Sequence, residues 1–325
     1  MSLVTDCFKR ALLKINRFPE TLEDLNVVTR QDKIKWRSPG YAKPIRFGQQ
    51  GQDRIGELLA GGGPLLVSRL GGVELSCLRF YLEKRRRAQK PYGAKLRFAL
   101  SNNAGYFPVD DQAIDAFARM FLDQVRQVDV MGVWFNQYEN VICNAYCGAA
   151  ELVDFDCLEP FRFANPWSAR LAGKRVLVVH PFVESITRQY QEKRALLFPS
   201  SQVLPEFELK TIRAVQSIAG TKVGFATWFE AYDHMCQEMA QVDFDICIIG
   251  AGAYGLPLAA FAKSLGKQAI HMGGSTQLLF GIKGRRWEEH EHAQSTATLF
   301  NEHWVRPLES ETPAHKEKVD KGCYW

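Results

Sequence analysis

The sequence predicts an α/β protein with a Rossmann-like, doubly wound and mostly parallel sheet, preceded by an N-terminal helical extension. Short runs of branched apolar residues, such as Arg175–His180, are typical of parallel strands that are covered on both faces. Stretches of helical length, such as 227–240, alternate with these runs. One strand, at 245–250, leads through a glycine-rich turn into a helix and a further strand, which together make a βαβ unit.

The order of the elements divides the chain into two parts. Residues 1–50 contain Pro19, Pro39 and Pro44 and read as a helix followed by an irregular arm. Residues 51–325 form the predicted domain. Its first strand follows the glycine break at 61–63, and a polar tail begins at about residue 288. Within it we predict strands at 64–68, 128–134, 175–180, 245–250 and 267–272, and helices at 74–87, 111–126, 141–153, 227–240 and 254–265.

Composition and charge exclude several classes of protein. The chain has 325 residues, of which 46% are hydrophobic and 24% charged, as expected of a globular protein with a full core. Its net charge of +5 is too small to indicate a nucleic-acid partner, although it suits a small anionic ligand. The eight cysteines show no Cys-x-x-Cys spacing, so neither a disulfide framework nor a zinc site is expected.

The same reading places the protein in the cytoplasm. No apolar run approaches the roughly 20 residues of a membrane-spanning helix, and the N-terminus lacks a signal-peptide core. Residues 7–18 mix apolar side chains with Lys9, Arg10, Lys14 and Arg17. Two interpretations stay open for this segment: a helix packed on the domain, or a peripheral contact with the inner face of a membrane.

The strongest motif is the turn Gly250-Ala251-Gly252-Ala253-Tyr254-Gly255, which matches G-x-G-x-x-G between a strand and a helix. In such a turn the first glycine allows a tight bend and the second allows the backbone to approach a phosphate, which the helix N-terminus then binds. The alternative is a turn whose glycines only permit strand and helix to pack closely.

The dinucleotide version of this motif also requires an acidic residue at the end of the next strand, where it binds the ribose. His271, Met272, Gly273 and Gly274 stand there instead. The arginines that an NADP site would need, Arg285 and Arg286, lie well beyond the strand. The motif therefore predicts nucleotide binding and disfavours hydride transfer.

Other polar turns supply candidate site residues. Arg69, Gly71, Gly72 and Glu74 follow the first long strand, at the end where open α/β sheets bind ligands. Arg69 suits a phosphate, and Glu74 suits a metal ion, an acid-base role or simply the positive end of its helix. His180 and His271 end two further strands and are candidate general bases, with a structural role as the alternative for each.

A glycine-rich and basic segment follows the last predicted strand. We expect it to clamp a diphosphate and stack on a base or sugar through Gly273, Gly274, Gln277, Arg285, Arg286 and Trp287, the alternative being a basic surface loop. Asn103, in the turn-rich stretch 101–108, is a candidate for binding sugar hydroxyls. The chain has no G-x-S-x-G elbow, Walker A lysine or H-E-x-x-H helix.

Across about 64–287 the chain resembles the GT-D-type glycosyltransferases, bacterial enzymes that use sugar nucleotides. Their first turn reads Arg-Phe-Gly-Asp-Gly-Glu, and Arg69-Leu70-Gly71-Gly72-Val73-Glu74 occupies that place here. Their late Gly-x-Gln-Ala-Ile strand is similar to Gly266-Lys267-Gln268-Ala269-Ile270. The Asp-x-Glu of the family is associated with a divalent metal and the donor diphosphate, so the resemblance places Glu74 in the donor site.

One departure from the family pattern bears on the metal. Gly72 stands where the family has aspartate, and a single carboxylate is a poor site for a hard cation. A Mn²⁺ or Mg²⁺ ion held by Glu74 and a metal-independent site both stay open. In the second case Arg69, Arg285 or Arg286 would neutralise the diphosphate.

The resemblance implies transfer of a sugar from a nucleotide diphosphate sugar to a glycan, a lipid-linked acceptor or a protein, in surface polysaccharide or glycoconjugate synthesis. No nucleic-acid partner is expected. The sequence does not fix the oligomeric state, and a homo-oligomer is one option. Two alternatives from other classes remain: an NAD(P)-dependent oxidoreductase, and a nucleotide-sugar-binding protein without catalytic activity.

Overall fold

A computed structural model describes residues 29–86, 91–289, 294–319 and 322–325. These residues form one eight-stranded sheet in which every pair of neighbouring strands is parallel, with helices against both faces. The predicted α/β, Rossmann-like fold class is therefore confirmed. The strands are β1 Ile45–Arg46, β2 Leu65–Arg69, β3 Val130–Val133, β4 Glu151–Asp154, β5 Arg175–His180, β6 Glu208–Arg213, β7 Ile246–Ile249 and β8 Gln268–His271.

The helices connect these strands and cover the sheet. In chain order they are α1 Arg30–Arg37, α2 Gly48–Ala60, α3 Gly72–Arg86, α4 Ala94–Asn102, α5 Asp111–Val125, α6 Glu139–Tyr146, α7 Val183–Leu197, α8 Trp228–Ala240, α9 Gly255–Ser264, α10 Thr276–Leu279, α11 Arg286–Glu289 and α12 Gln294–Ala297. Side-chain hydrogen bonds cap the N-termini of several of these helices. For example, Thr227 accepts a hydrogen bond from the amide of Glu230 at 3.1 Å at the start of α8.

The strand order is β1-β4-β3-β2-β8-β7-β5-β6. From β2 the chain winds outward through β3 to β4, whereas β8, the last strand in sequence, pairs with the other side of β2. The connections that leave β2 and β8 therefore diverge. In open α/β sheets, ligands bind where such connections diverge, beyond the carboxyl ends of the strands.

Adjacent residues of each strand point to opposite faces, so two cores form. Leu66 points into a core lined by α3 to α6, α8 and α9, while Leu65 and Val67 point into a second core lined by α2, α7, α10 and residues near the C-terminus. All three side chains are at most 4% exposed. A strand that is covered on both faces reads as a continuous apolar run, which is why the long central strands were predictable.

The structure corrects the sequence interpretation in the first part of the chain. The window 141–153 was predicted as one helix. It contains most of helix α6, a turn at 147–150 and the start of strand β4, whose Leu152 and Val153 are buried. The irregular arm predicted before residue 50 contains α1 and strand β1, which pairs with β4. The predicted boundary at about residue 50 falls inside α2.

Two further findings concern the ends of the chain. The residues 7–18 discussed for a membrane contact lie outside the described part. The predicted polar tail from about residue 288 contains α12 and short 3-10 turns, and it ends with Cys323 and Trp325 buried, at 1% and 5% exposure. Within the ranges that the structure describes, no helix is long and apolar enough to cross a membrane.

Candidate functional site

The carboxyl ends of the central strands bring four of the candidate turns, and the residue that follows β3, to one edge of the sheet. Arg69 ends β2, His180 ends β5 and His271 ends β8. Gly250 directly follows β7, and Trp134 directly follows β3. Because all the strands are parallel, these positions share one side of the molecule, as the sequence analysis predicts for its candidate turns.

Arg69 occupies the gap between the turns that follow β2 and β8. A Cβ atom on Gly273 would overlap the guanidinium, and one on Gly71 would lie 3.0 Å from Nη1, so the space that both glycines leave open admits the side chain. The guanidinium carbon lies 5.8 Å from the centre of the Trp134 ring. Its Nε is buried without a hydrogen-bond partner, and among the described residues no carboxylate pairs with this arginine. A guanidinium with spare donors at this edge suits an anionic ligand.

Glu74 lies beside Arg69, in the first turn of α3. Its side chain folds back over Gly71, so that a Cβ on that glycine would overlap Oε2. The carboxylate is partly exposed and forms no ion pair in the part of the chain that the structure describes. Arg69, Gly71, Gly72, Glu74 and Gly273 are therefore the predicted site residues that the structure brings together.

His180 and His271 are both only 3% exposed. The Nδ1 of His180 accepts a hydrogen bond from the amide of Phe182 at 3.0 Å, and burial lowers the pKa of the ring to about 3. The Nδ1 of His271 lies 3.0 Å from the hydroxyl of Ser68. Burial, assisted by the charge of Arg69, lowers the pKa of His271 well below its usual value. Both rings are thus enclosed and weakly basic, which leaves the partly exposed Glu74 as the better placed candidate base.

The glycine-rich turn mainly packs the interior. The amide of Gly250 still donates to Val179 at 3.0 Å within the sheet. A Cβ on Gly250 would lie 2.6 Å from His180 Cδ2, 2.7 Å from the carbonyl oxygen of Gly273 and 2.8 Å from Thr276 Cβ. A Cβ on Gly255 would overlap the His271 ring. At these two positions the packing alternative fits the geometry.

The other residues of that turn differ in exposure. Ala251 and Tyr254 are 4% and 2% exposed, and the Tyr254 ring stacks on Trp228 with centroids 4.6 Å apart. Gly252 faces solvent, with a left-handed φ of 53° that favours glycine. Of this turn, only the backbone at Gly252 is open to a ligand.

The segment that was expected to clamp a diphosphate instead holds the residues near the C-terminus. Gln277, 1% exposed, donates to the carbonyl of Tyr324 at 3.1 Å. The Tyr324 ring fills the space beside Gly274, and the Arg286 guanidinium stacks on that ring at 4.8 Å. Trp287 lies 6.1 Å from the same ring.

The two remaining candidates, Arg285 and Asn103, lie in other parts of the chain that contact residues near the C-terminus. Arg285 has an exposed side chain, and its amide donates to the carbonyl of Trp325 at 3.3 Å. Asn103 accepts a hydrogen bond from Asn102, which also donates to the carbonyl of Lys318 at 2.7 Å. The ligand-binding roles of Arg285 and Asn103 stay predictions.

Sequence reasoning missed two residues next to this cluster, Trp134 and Glu139. Glu139 is fully buried, and its Oε2 accepts hydrogen bonds from the Tyr41 hydroxyl at 2.9 Å, the Trp134 amide at 2.9 Å and the Asn136 amide at 3.1 Å. Burial raises the pKa of this carboxyl to about 7. The available signal was the position of Trp134 directly after a buried strand, the criterion that selected Arg69.

The residues around Glu74 do not fit a divalent metal. Hard cations in proteins take several oxygen ligands, of which one or two are carboxylates. The carboxylate of Glu74 lies against Gly71, and across the described ranges no group of three or more His, Cys, Asp or Glu side chains could hold a metal ion. A Cβ on Gly72 would meet nothing within 4 Å, so the position where the GT-D-type pattern has aspartate is sterically open.

Comparisons with known proteins add little to this geometry. No protein-family model matches the chain, and no curated protein matches it. A solved structure does match, described in the words "the highly conserved domain of unknown function 1792 has a distinct glycosyltransferase fold". The match covers 83% of this chain and 98% of the other, at 13% identity and a TM-score of 0.35. That likeness is too low to carry the neighbour's fold or activity over to this chain.

Proposed function

We propose that this protein is a glycosyltransferase that binds a nucleotide diphosphate sugar at the carboxyl ends of β2 and β8. The observation that carries the proposal is Arg69, a guanidinium with a buried, unpartnered Nε and no carboxylate partner among the described residues. Glycines on both sides make room for it, and the carboxylate of Glu74 lies beside one of them, Gly71. An unpaired arginine next to a single carboxylate suits displacement of an anionic leaving group.

In the proposed reaction, Glu74 takes the proton of an acceptor hydroxyl. The acceptor oxygen forms a bond to the anomeric carbon of the sugar while the bond from that carbon to the diphosphate oxygen breaks. The leaving diphosphate keeps the electron pair, and Arg69 stabilises the charge that develops on it. A guanidinium contributes here because it offers two parallel N–H donors to a phosphate.

The finer parts of the proposal rest on the resemblance described above. They are a glycan, lipid-linked or protein acceptor and a role in surface polysaccharide or glycoconjugate synthesis. The cytoplasmic location comes from the sequence alone, with a peripheral contact at the inner membrane face as one of its two interpretations. The base and the sugar of the donor are left to experiment. Because the residues around Glu74 do not fit Mn²⁺ or Mg²⁺, the positive charge of Arg69 supports a site that works without a metal ion.

A thermal-shift screen tests the donor class. Purified protein is heated with UDP, GDP, CMP and dTDP sugars, with NAD and with NADP, each with and without Mn²⁺. A specific ligand at 100 times its Kd stabilises a protein by about 2.7 kcal/mol, so we expect one nucleotide sugar to raise the Tm. Stabilisation by a nicotinamide cofactor alone would contradict the proposal and favour an oxidoreductase.

Variants of the two site residues separate binding from catalysis. Glu74→Gln should bind the donor found in the screen yet lose turnover, whereas Arg69→Ala should bind it about 10- to 100-fold more weakly, as expected when a charged hydrogen bond is lost. Arg188→Ala is the matched control, because Arg188 is exposed and pairs with Glu192 on the surface. An active Glu74→Gln enzyme, or donor binding by Arg69→Ala at the level of Arg188→Ala, would overturn the assignment. Donor binding without any turnover in the native protein would instead indicate a binding protein.

A further inference from the structure

Trp134 stands next to Arg69 and, with Trp36, is one of the two half-buried tryptophans in the described ranges. Trp167, Trp228, Trp287, Trp304 and Trp325 are all at most 8% exposed, whereas Trp134 is half-buried. One face of its ring lies on Phe155, with centroids 4.4 Å apart and planes 6° from parallel. Its indole N–H forms no hydrogen bond with any described residue. The ring therefore has a backed face and a free donor at the edge of the sheet where Arg69 lies.

Trp134 is held in place from behind. Its amide donates to Glu139, a carboxylate with no exposed surface, which also binds the amide of Asn136 and the hydroxyl of Tyr41. Between them, Phe135 adopts a left-handed φ of 57°, uncommon for a residue with a side chain. Strained backbone and a buried carboxylate both cost free energy, and such costs are concentrated at functional sites.

The plain structural alternative is that Trp134 and Phe155 only cover the ends of β3 and β4. A cover of that kind needs neither a buried carboxylate behind it nor an unpaired guanidinium 5.8 Å from the ring centre. An arginine and an aromatic ring side by side suit a ligand with an anionic part and a flat ring. Nucleoside diphosphates have that composition, and any base stacks on an aromatic side chain.

We propose that Trp134 is the base-binding residue of the site, stacking on the nucleobase of a nucleoside diphosphate whose phosphates are bound by Arg69. This inference rests on the proposed function and adds the residue that recognises the nucleoside part of the donor. Glu139 is then a positioning residue, because it touches the Trp134 backbone and not the ligand. Stacking tolerates every base, so Trp134 supplies affinity for the nucleoside, and the choice among bases belongs to other contacts.

Calorimetric titration of the full chain with UDP, GDP and inorganic pyrophosphate tests the inference. Stacking of one base contributes about 1–3 kcal/mol, so the better nucleoside diphosphate should bind the native protein roughly 5- to 150-fold more tightly than pyrophosphate. Trp134→Leu should remove this difference and leave pyrophosphate binding unchanged. Trp134→Phe keeps an aromatic ring on Phe155 and should retain most of the difference in affinity. Phe98→Leu, which changes an exposed aromatic side chain on α4, is the control.

Fluorescence gives a second readout that is independent of affinity. A stacked base should quench the emission of Trp134, so saturating nucleotide should quench native protein more than Trp134→Phe. Equal affinities for nucleotide and pyrophosphate in native protein, or an unchanged preference in Trp134→Leu, would overturn the base-binding role while leaving Arg69 as an anion site. If neither probe binds native protein, the proposed function and this inference fail together. Loss of both probes only in Arg69→Ala would uphold the anion site.

Discussion

Replacing Glu139 with glutamine should change how the stability of the protein depends on pH. The Oε2 of Glu139 accepts three hydrogen bonds, while its Oε1 is buried without a partner. A glutamine can keep its carbonyl oxygen at the first position and place its amide nitrogen at the second. Glu139→Gln is therefore a small structural change that removes one buried titratable group.

The magnitude follows from the pKa of the group. Burial raises the pKa of Glu139 from 4.5 to about 7, and at about 1.4 kcal/mol per pKa unit this corresponds to about 3 kcal/mol. Because the folded state holds the proton more tightly than the unfolded state, this contribution is fully present below pH 4.5 and is lost as the pH rises through about 7. The free energy of unfolding of native protein, relative to Glu139→Gln, should fall by that amount across this window.

Urea unfolding from pH 4 to pH 8, followed by circular dichroism, measures the effect. The informative quantity is the difference between native protein and Glu139→Gln at each pH, because other groups that titrate in both proteins cancel. A difference that stays constant with pH to within about 0.5 kcal/mol, or that grows with pH, would show that Glu139 is not the buried carboxyl described above. A constant loss added to the expected pH-dependent change would mean that glutamine also disrupts the loop.

Four further variants test glycine packing and buried polar groups at the site and near the C-terminus. Gly250→Ala should destabilise the protein by about 1–3 kcal/mol, because its Cβ would lie 2.6 Å from His180 Cδ2, while Gly72→Ala, with nothing within 4 Å, should stay within about 0.5 kcal/mol in thermal unfolding. Equal Tm values would contradict the packing role of Gly250. Because burial lowers the pKa of His180, native protein should lose stability as the pH falls from 6.5 towards 3, and His180→Asn should not show this loss. In urea unfolding, the free energies of unfolding of the two proteins should therefore converge as the pH falls. Glu311→Ala should cost about 1–3 kcal/mol and speed proteolysis beyond residue 300, because its carboxylate accepts the amides of Glu184 and Ser185 at the start of α7; unchanged cleavage would contradict this.

The sequence predicted best those elements whose signal is local. Strand β5 was predicted with its observed bounds, because a strand covered on both faces shows an unbroken apolar run between a glycine and a proline. The window 141–153 was interpreted wrongly, since it joins α6 and β4 across a short turn. Strand β4 has only four residues and is recognised by its pairing with β1 and β3. Its own sequence holds no pattern that identifies these partners.

The site was predictable in position and less so in composition. Arg69 and Glu74 follow a strand, and the rule for carboxyl ends placed them correctly at the edge. The glycines of the G-x-G-x-x-G turn indicate only that small residues are needed, and the pattern cannot tell a phosphate from the His180 and His271 rings that fill those spaces. Glu139 could not be recognised, because its burial depends on Tyr41, far away in the chain.

The place of β8 in the sheet has a consequence for how the protein is made. β8 alone joins β1-β4-β3-β2 to β7-β5-β6, yet it follows the other seven described strands in the chain. Until residues 268–271 leave the ribosome, each half of the sheet presents an unpaired central strand, β2 or β7, and such exposed edges favour aggregation. Arg69 and Gly273, which lie on β2 and after β8, meet only when this last strand inserts. Completion of the sheet and assembly of the candidate site are thus a single event that waits for β8.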